Sequence, residues 1–135
     1  MAGYLLDTSH LSAAVRTRSA VRSRIQEARS RGLRFGTCIP VLYELEVGIL
    51  QVRDPEIYRK ALARFLAQAT LWPLDLATAQ VYGALYLDLR RRGRILSQVD
   101  LMLAALARRF GLTLLTTDRD FESVPDLRIE NWLSL

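Results

Sequence analysis

Short unbroken apolar runs alternate along this chain with longer stretches in which apolar residues return every three or four positions. Tyr4-Leu5-Leu6 is the first run, and it ends directly in Asp7-Thr8-Ser9. A strand buried on both faces of a parallel sheet needs such a run, and a polar stop sets its end at the mouth of the sheet rather than in the core. Ser9 is the expected cap of a short helix through Leu11, Ala14 and Val15. A second helix is predicted over 20–29, with Val21, Ile25 and Ala28 on one face and Gly32 as its stop. A strand over 33–37 leads to Pro40, which suits a first helical turn and opens a helix through Leu50.

The second half repeats the alternation. Asp54-Pro55 has the form of a cap and a first-turn proline, followed by an apolar stripe of Ile57, Ala61 and Phe65. A strand is expected over 71–74, then a helix capped by Asp75 in which Val81, Leu85 and Leu89 recur every four residues up to Gly93. A helix over 97–110 stops at Gly111, a second buried strand covers 112–116, and a weak last strand lies near 127–129. Strands alternating with helices predict an α/β fold, a three-layer α/β/α sandwich around a mainly parallel sheet. Its length of 135 residues suits one domain over 1–135.

Composition narrows the classes. Half of the residues are hydrophobic, but charge breaks every apolar run well short of a membrane span, and the first residues reach Asp7 too soon for a signal peptide, so a cytoplasmic protein without membrane contact is expected. The single cysteine, Cys38, allows no internal disulfide and suits a small buried hydrophobe. The only histidine, His10, is expected to serve a surface or packing role on the first short helix. Net charge is +5, and all basic residues except Lys60 are arginine, which favours a polyanion or an acidic partner.

The acids change the picture most. Asp7 and Asp118 each follow an apolar strand-like run, while Glu44 and Asp100 stand in the opening turns of helices whose other faces are apolar. Taken singly, each has a plain alternative: Asp7 and Asp118 as helix caps, Asp100 as compensation of a helix dipole, Glu44 as a solvated face. Four carboxylates from four elements, with no His or Cys cluster beside them, would suit a hard cation with oxygen ligands, magnesium or manganese. Such a centre performs phosphoryl chemistry. Glu46 should face away from Glu44, Asp120 would buttress Arg119 or support the site from behind, and Asp54, Asp75, Glu122, Asp126 and Glu130 are expected as caps or surface.

Leu5-Leu6-Asp7-Thr8-Ser9, Tyr43-Glu44-Leu45-Glu46-Val47-Gly48-Ile49, Val99-Asp100-Leu101-Met102-Leu103-Ala104-Ala105 and Leu115-Thr116-Thr117-Asp118-Arg119-Asp120-Phe121 resemble, in that order, the four acidic motifs of PIN domains, with closest similarity to VapC-type toxins of toxin-antitoxin modules. The resemblance implies a PIN-like fold and a metal-dependent endoribonuclease with catalytic and metal-holding acids Asp7, Glu44, Asp100 and Asp118. It also implies a supporting hydroxyl at Thr116, an RNA substrate, homodimers and a cognate antitoxin, with larger toxin-antitoxin assemblies. Arg16, Arg18, Arg22 and Arg24, and the stretch 90–94, would then line an RNA approach or simply form solvated faces. Two rival functions remain: a structure-specific DNA nuclease, for which the chain carries no inserted arch, and a non-catalytic metal- or RNA-binding module. An aspartyl phosphatase is disfavoured because no second Asp stands two residues after Asp7.

Overall fold

The computed structural model describes residues 3–16 and 19–133. Five strands, β1 (Gly3–Leu6), β2 (Arg34–Thr37), β3 (Thr70–Leu71), β4 (Thr113–Leu115) and β5 (Arg128–Glu130), form one sheet in the order β3-β2-β1-β4-β5. Every pairing is parallel. Helices α1 (Thr8–Val15) and α2 (Ala20–Ser30) join β1 to β2, and α3 (Ile39–Ile49) and α4 (Pro55–Ala67) join β2 to β3. From β3 the chain returns across the sheet to β4 through α5 (Leu76–Arg91) and α6 (Gln98–Phe110).

Crossovers between parallel strands are right-handed, so the direction of travel decides which face a helix covers. From β1 to β2 to β3 the chain moves one way, which puts α1 to α4 on one face; from β3 to β4 it moves back, which puts α5 and α6 on the other. This is the expected three-layer arrangement, and the contacts agree: α1 packs on α2, α3 and α4, while α5 packs on α6. The reversal falls between β1 and β4, the switch point at whose carboxyl ends ligands bind in open α/β sheets. Asp7 leaves β1 there, and the Asp118 loop leaves β4 there.

Packing explains the local sequence. Leu5, Leu6, Leu114 and Leu115 are fully buried in the sheet, and on α6 the row Leu103, Leu106 and Ala107 faces the same core. Gly36 of β2 has no alternative, because a Cβ there would stand 1.8 Å from the carbonyl oxygen of Thr70 on the adjacent strand. Gly111 ends α6 in the left-handed conformation, φ 65°.

Three expectations are corrected and a fourth is borne out and extended. The cap of α1 is Asp7, not Ser9: the Asp7 carboxylate accepts from the His10 backbone N–H at 3.2 Å, and Thr8 already belongs to the helix. β3 covers Thr70–Leu71 rather than 71–74; the Trp72 N–H still donates to the Thr37 carbonyl at 3.0 Å, and Pro73, lacking an N–H, ends the ladder. Asp54 precedes Pro55 without bonding to any N–H of α4. Asp75 does cap α5, accepting from Thr78 N–H at 3.1 Å, but it also pairs with Arg109 of α6 at 2.5 Å and so ties the two helices together. Among the described residues no helix is long and apolar enough to cross a membrane.

Candidate active site

The register of β1 and β4 sets Leu6 beside Leu115, and the ladder continues one step further, with Asp7 N–H donating to the Leu115 carbonyl at 3.1 Å. Asp7 and Thr116 are thereby fixed side by side. The buried Thr116 hydroxyl donates to Asp7 Oδ2 and accepts from the Asp118 N–H at 3.0 Å, so one side chain joins both strand ends. Ser9 donates to Asp7 Oδ1 at 2.6 Å. Asp7 is therefore a cap and a site residue at once, held on both carboxylate oxygens. Its burial alone would raise the carboxyl pKa, but the hydrogen bonds from His10, Ser9 and Thr116 outweigh that and hold it below the ordinary carboxylate value.

Asp118 likewise serves as a cap: its carboxylate accepts from Asp120 N–H at 2.9 Å at the start of a 3-10 helix over Arg119–Ser123. Glu44 projects from α3, exposed, and accepts at 2.9 Å from the hydroxyl of Thr8 in the first turn of α1, next to Asp7. Asp100 stands in the first turn of α6, where the Ser97 hydroxyl caps its N–H at 3.2 Å. Partial burial pushes the Asp100 carboxyl above its ordinary value, against the pull of the Ser97 hydrogen bond, and the negative charges of Asp118, Glu44 and Asp7 push it further the same way. All four acids thus share one mouth at the switch point. Among the described residues, however, no three His, Cys, Asp or Glu side chains stand close enough to grip a metal ion as they are. The charges of Asp118, Glu44 and Asp7 reach Asp100, but the carboxylates form no finished cage.

The donor set itself fits a hard cation. It is all carboxylate and hydroxyl oxygen, with one carboxyl destabilised in its charged form by burial and by three like neighbours, a condition that a divalent cation relieves. Softer ligands stand aside: Cys38 is buried, with its thiol pushed up to about 11, chiefly by that burial. His10 is fully buried and not at the surface, so of its two expected roles packing is the one observed. Its Nε2 accepts the Trp132 N–H at 3.0 Å, which leaves the ring proton on Nδ1, 3.3 Å from Ser9 Oγ. Ser9 in turn bonds Asp7, so a chain of contacts runs from the segment after β5 to the first acid. Sequence reasoning missed this role; only the contact of a late backbone N–H with an early ring reveals it.

The neighbouring residues sort themselves. Asp120 is exposed, and the side chain that pairs with Arg119 is Glu122, at 3.4 Å, not Asp120. Glu46 faces α4 and pairs with Arg59. Arg24 lies 4.0 Å over the Trp132 ring, Arg22 reaches the Arg16 carbonyl at 3.4 Å, and Arg18 lies outside the described residues. Arg90 bonds the Tyr86 hydroxyl and Arg92 bonds Asp88, whereas Arg94 and Arg119 line a polar cavity of about 440 Å³ beside Asp120.

Known proteins share this fold. Residues 4–127 match the PIN domain family. The chain is 30% identical to a tRNA(fMet)-specific endonuclease VapC of Shigella flexneri, over 98% of this chain and 99% of that protein. It is equally, 30%, identical to ribonuclease VapC2 of Haemophilus influenzae, over 98% of this chain and all of that protein. A crystal structure of VapBC2 from Rickettsia felis bound to a DNA fragment from its promoter superimposes with a TM-score of 0.83 at 25% identity, covering 96% of this chain and 98% of that one. By this family match and these relatives, the chain belongs to the PIN domain family and, within it, to the VapC ribonucleases.

Proposed function

We propose that this chain is a magnesium-dependent endoribonuclease toxin, in which Asp7, Glu44, Asp100 and Asp118 hold the cation and RNA phosphodiester bonds are hydrolysed by water. The observation that carries the reading is the Asp100 carboxyl at the switch point, raised first by its burial and further by the charges of Asp118, Glu44 and Asp7. Magnesium, or manganese in its stead, would when bound supply charge neutralisation at the scissile phosphate and acidify a water for in-line attack. The protein's own part is orientation. Thr116 and Ser9 clamp the two oxygens of Asp7 and keep it ionised, Ser97 holds the backbone of Asp100, and the Thr116 hydroxyl fixes the Asp118 loop. Glu44, exposed and held by the single Thr8 hydrogen bond, can turn toward the other three at small cost. Arg94 and Arg119, lining the cavity beside Asp120, offer donors to flanking phosphates.

The partners that complete this reading are a cognate antitoxin and a second copy of the chain. VapBC complexes among the related structures support the first. An exposed apolar row of Ile39, Tyr43 and Val47 on α3, continued by Leu50 at its end, supports contact with another protein surface. The rival reading, a binding module without turnover, draws on the separation of the carboxylates, and one assay separates the two. Purified chain is expected to cut RNA with magnesium, to stop in EDTA, and to lose at least about a hundredfold in rate as Asp7→Asn or Asp100→Asn. RNA binding without cleavage under all of these conditions would favour the rival, and cleavage of DNA in preference to RNA would favour a DNA nuclease.

A further inference from the structure

At the far end of α1 from Asp7, a cavity of about 200 Å³ opens between α1, α2 and α4. Its walls combine Val15, Ile25 and Phe65 with Arg22, Arg29 and Arg64, and among the described residues no Asp or Glu lines it. Arg29 is the anomaly. Its Nε and Nη2 are buried and have no hydrogen-bond partner among the described residues. The guanidinium carbon lies 4.7 Å from the centre of the Phe65 ring and 5.9 Å from that of Phe35, so aromatic groups steady its position without satisfying its donors. Burial lowers its pKa, a sign that the charged form is poorly compensated.

Nε and Nη2 are the two donors on one edge of the guanidinium, the side-on fork that takes both oxygens of a planar oxyanion. Buried donors of this kind are costly to leave unpaired, and natural structures rarely do so without a ligand or water. We infer that this cavity is a binding site for a terminal carboxylate on a slim methylene stem, received by the Arg29 fork as that side chain turns into the recess, with Arg22 and Arg64 at its rim. The fork sets the class: its two parallel donors match the two oxygens of a planar carboxylate, and the apolar walls suit the methylenes of a stem. Such a carboxylate has two sources, a glutamate or aspartate side chain of a partner segment or a free small carboxylic acid. The inference does not depend on the nuclease reading, because the cavity and the acids lie at opposite ends of α1.

The test is NMR titration of the full chain, following the Arg29 Nε–H signal, assigned by its loss in Arg29→Lys. Four probes are added in turn: N-acetyl-glutamate N-methylamide, its glutamine counterpart, glutarate and inorganic phosphate. The capped glutamate should move the signal saturably with a Kd of about 1–10 mM, while the capped glutamine leaves it in place. Arg64→Gln, a change at an exposed residue, should weaken the capped glutamate about threefold to tenfold. Saturation by both the capped glutamate and glutarate supports the site with a protein side chain as its source, and saturation by glutarate alone supports it with a free acid. A signal moved only by phosphate, moved equally by the glutamine probe, or moved by none of the four overturns the inference. Nuclease activity enters none of these readouts, so their failure and that of the nuclease reading are separately visible.

Discussion

Asp7 concentrates the chemistry of the molecule at the scale of one residue, since both of its oxygens are engaged before any ligand arrives. Thr116 is the critical donor among them because its hydroxyl serves Asp7 and the Asp118 N–H together. Thr116→Val keeps the shape and removes both bonds, so a loss of about 1–3 kcal/mol in urea melts is expected, together with weaker magnesium binding by calorimetry. The pH dependence of the acids follows from the signs of their shifts. Asp7, lowered in the folded chain, stabilises above the ordinary carboxylate value, and that contribution is lost as pH falls through its folded pKa. Asp100, raised, acts oppositely: its contribution is present below the ordinary value and is lost as pH rises through its folded pKa, so at neutral pH its charge opposes folding. Asp100→Asn should therefore raise the melting temperature by about 2–4 °C at pH 7 in EDTA, and saturating magnesium should abolish or reverse the advantage over the parent. A variant that melts below the parent in EDTA would contradict the repulsion on which the site is argued.

Helices and strands were legible in the sequence to the extent that one face was apolar. The stripes of α4 and α6 and the unbroken runs of β1 and β4 announced themselves, because burial dictates periodicity. What escaped was decided by polar contacts between distant segments. Ser9 looked the better cap for α1, but β1 ends at Leu6 and the helix begins at Thr8, which leaves Asp7, tied to Leu115 through its backbone N–H, in the cap position. Asp75 looked like a plain cap, and nothing local to it pointed to Arg109, 34 residues later. The start of α6 is the element on which the site most depends. Ser97→Ala should cost about 1 kcal/mol in a denaturant melt by removing the cap, and it should weaken magnesium binding, since Asp100 follows the helix end that Ser97 secures. Unchanged metal affinity would show that Asp100 does not depend on its cap.

For the whole molecule, topology accounts for the position of the site. Strand order β3-β2-β1-β4-β5 reverses direction between β1 and β4, and residues far apart in the chain, Asp7 and Asp118, leave adjacent strands at that crevice. Asp7, Asp118 and Asp100 could be picked out as candidates because each follows a buried run or opens an apolar helix, whereas Glu44 stands in the second turn of α3. The actual separation of the acids could not be read from the sequence, because spacing along the chain says which end of the sheet a residue occupies and not how its side chain turns. His10 shows the same boundary: its partner Trp132 lies 122 residues away, and only the closed fold brings the two together.

The central claim, that Asp7, Glu44, Asp100 and Asp118 jointly hold a divalent cation, is tested most directly by anomalous scattering from crystals of the chain grown with manganese. A peak bounded by oxygens of Asp7, Asp100 and at least one of Glu44 and Asp118, at about 2.0–2.3 Å, is the predicted result. A map in which manganese occupies other surfaces while these acids remain apart would contradict it.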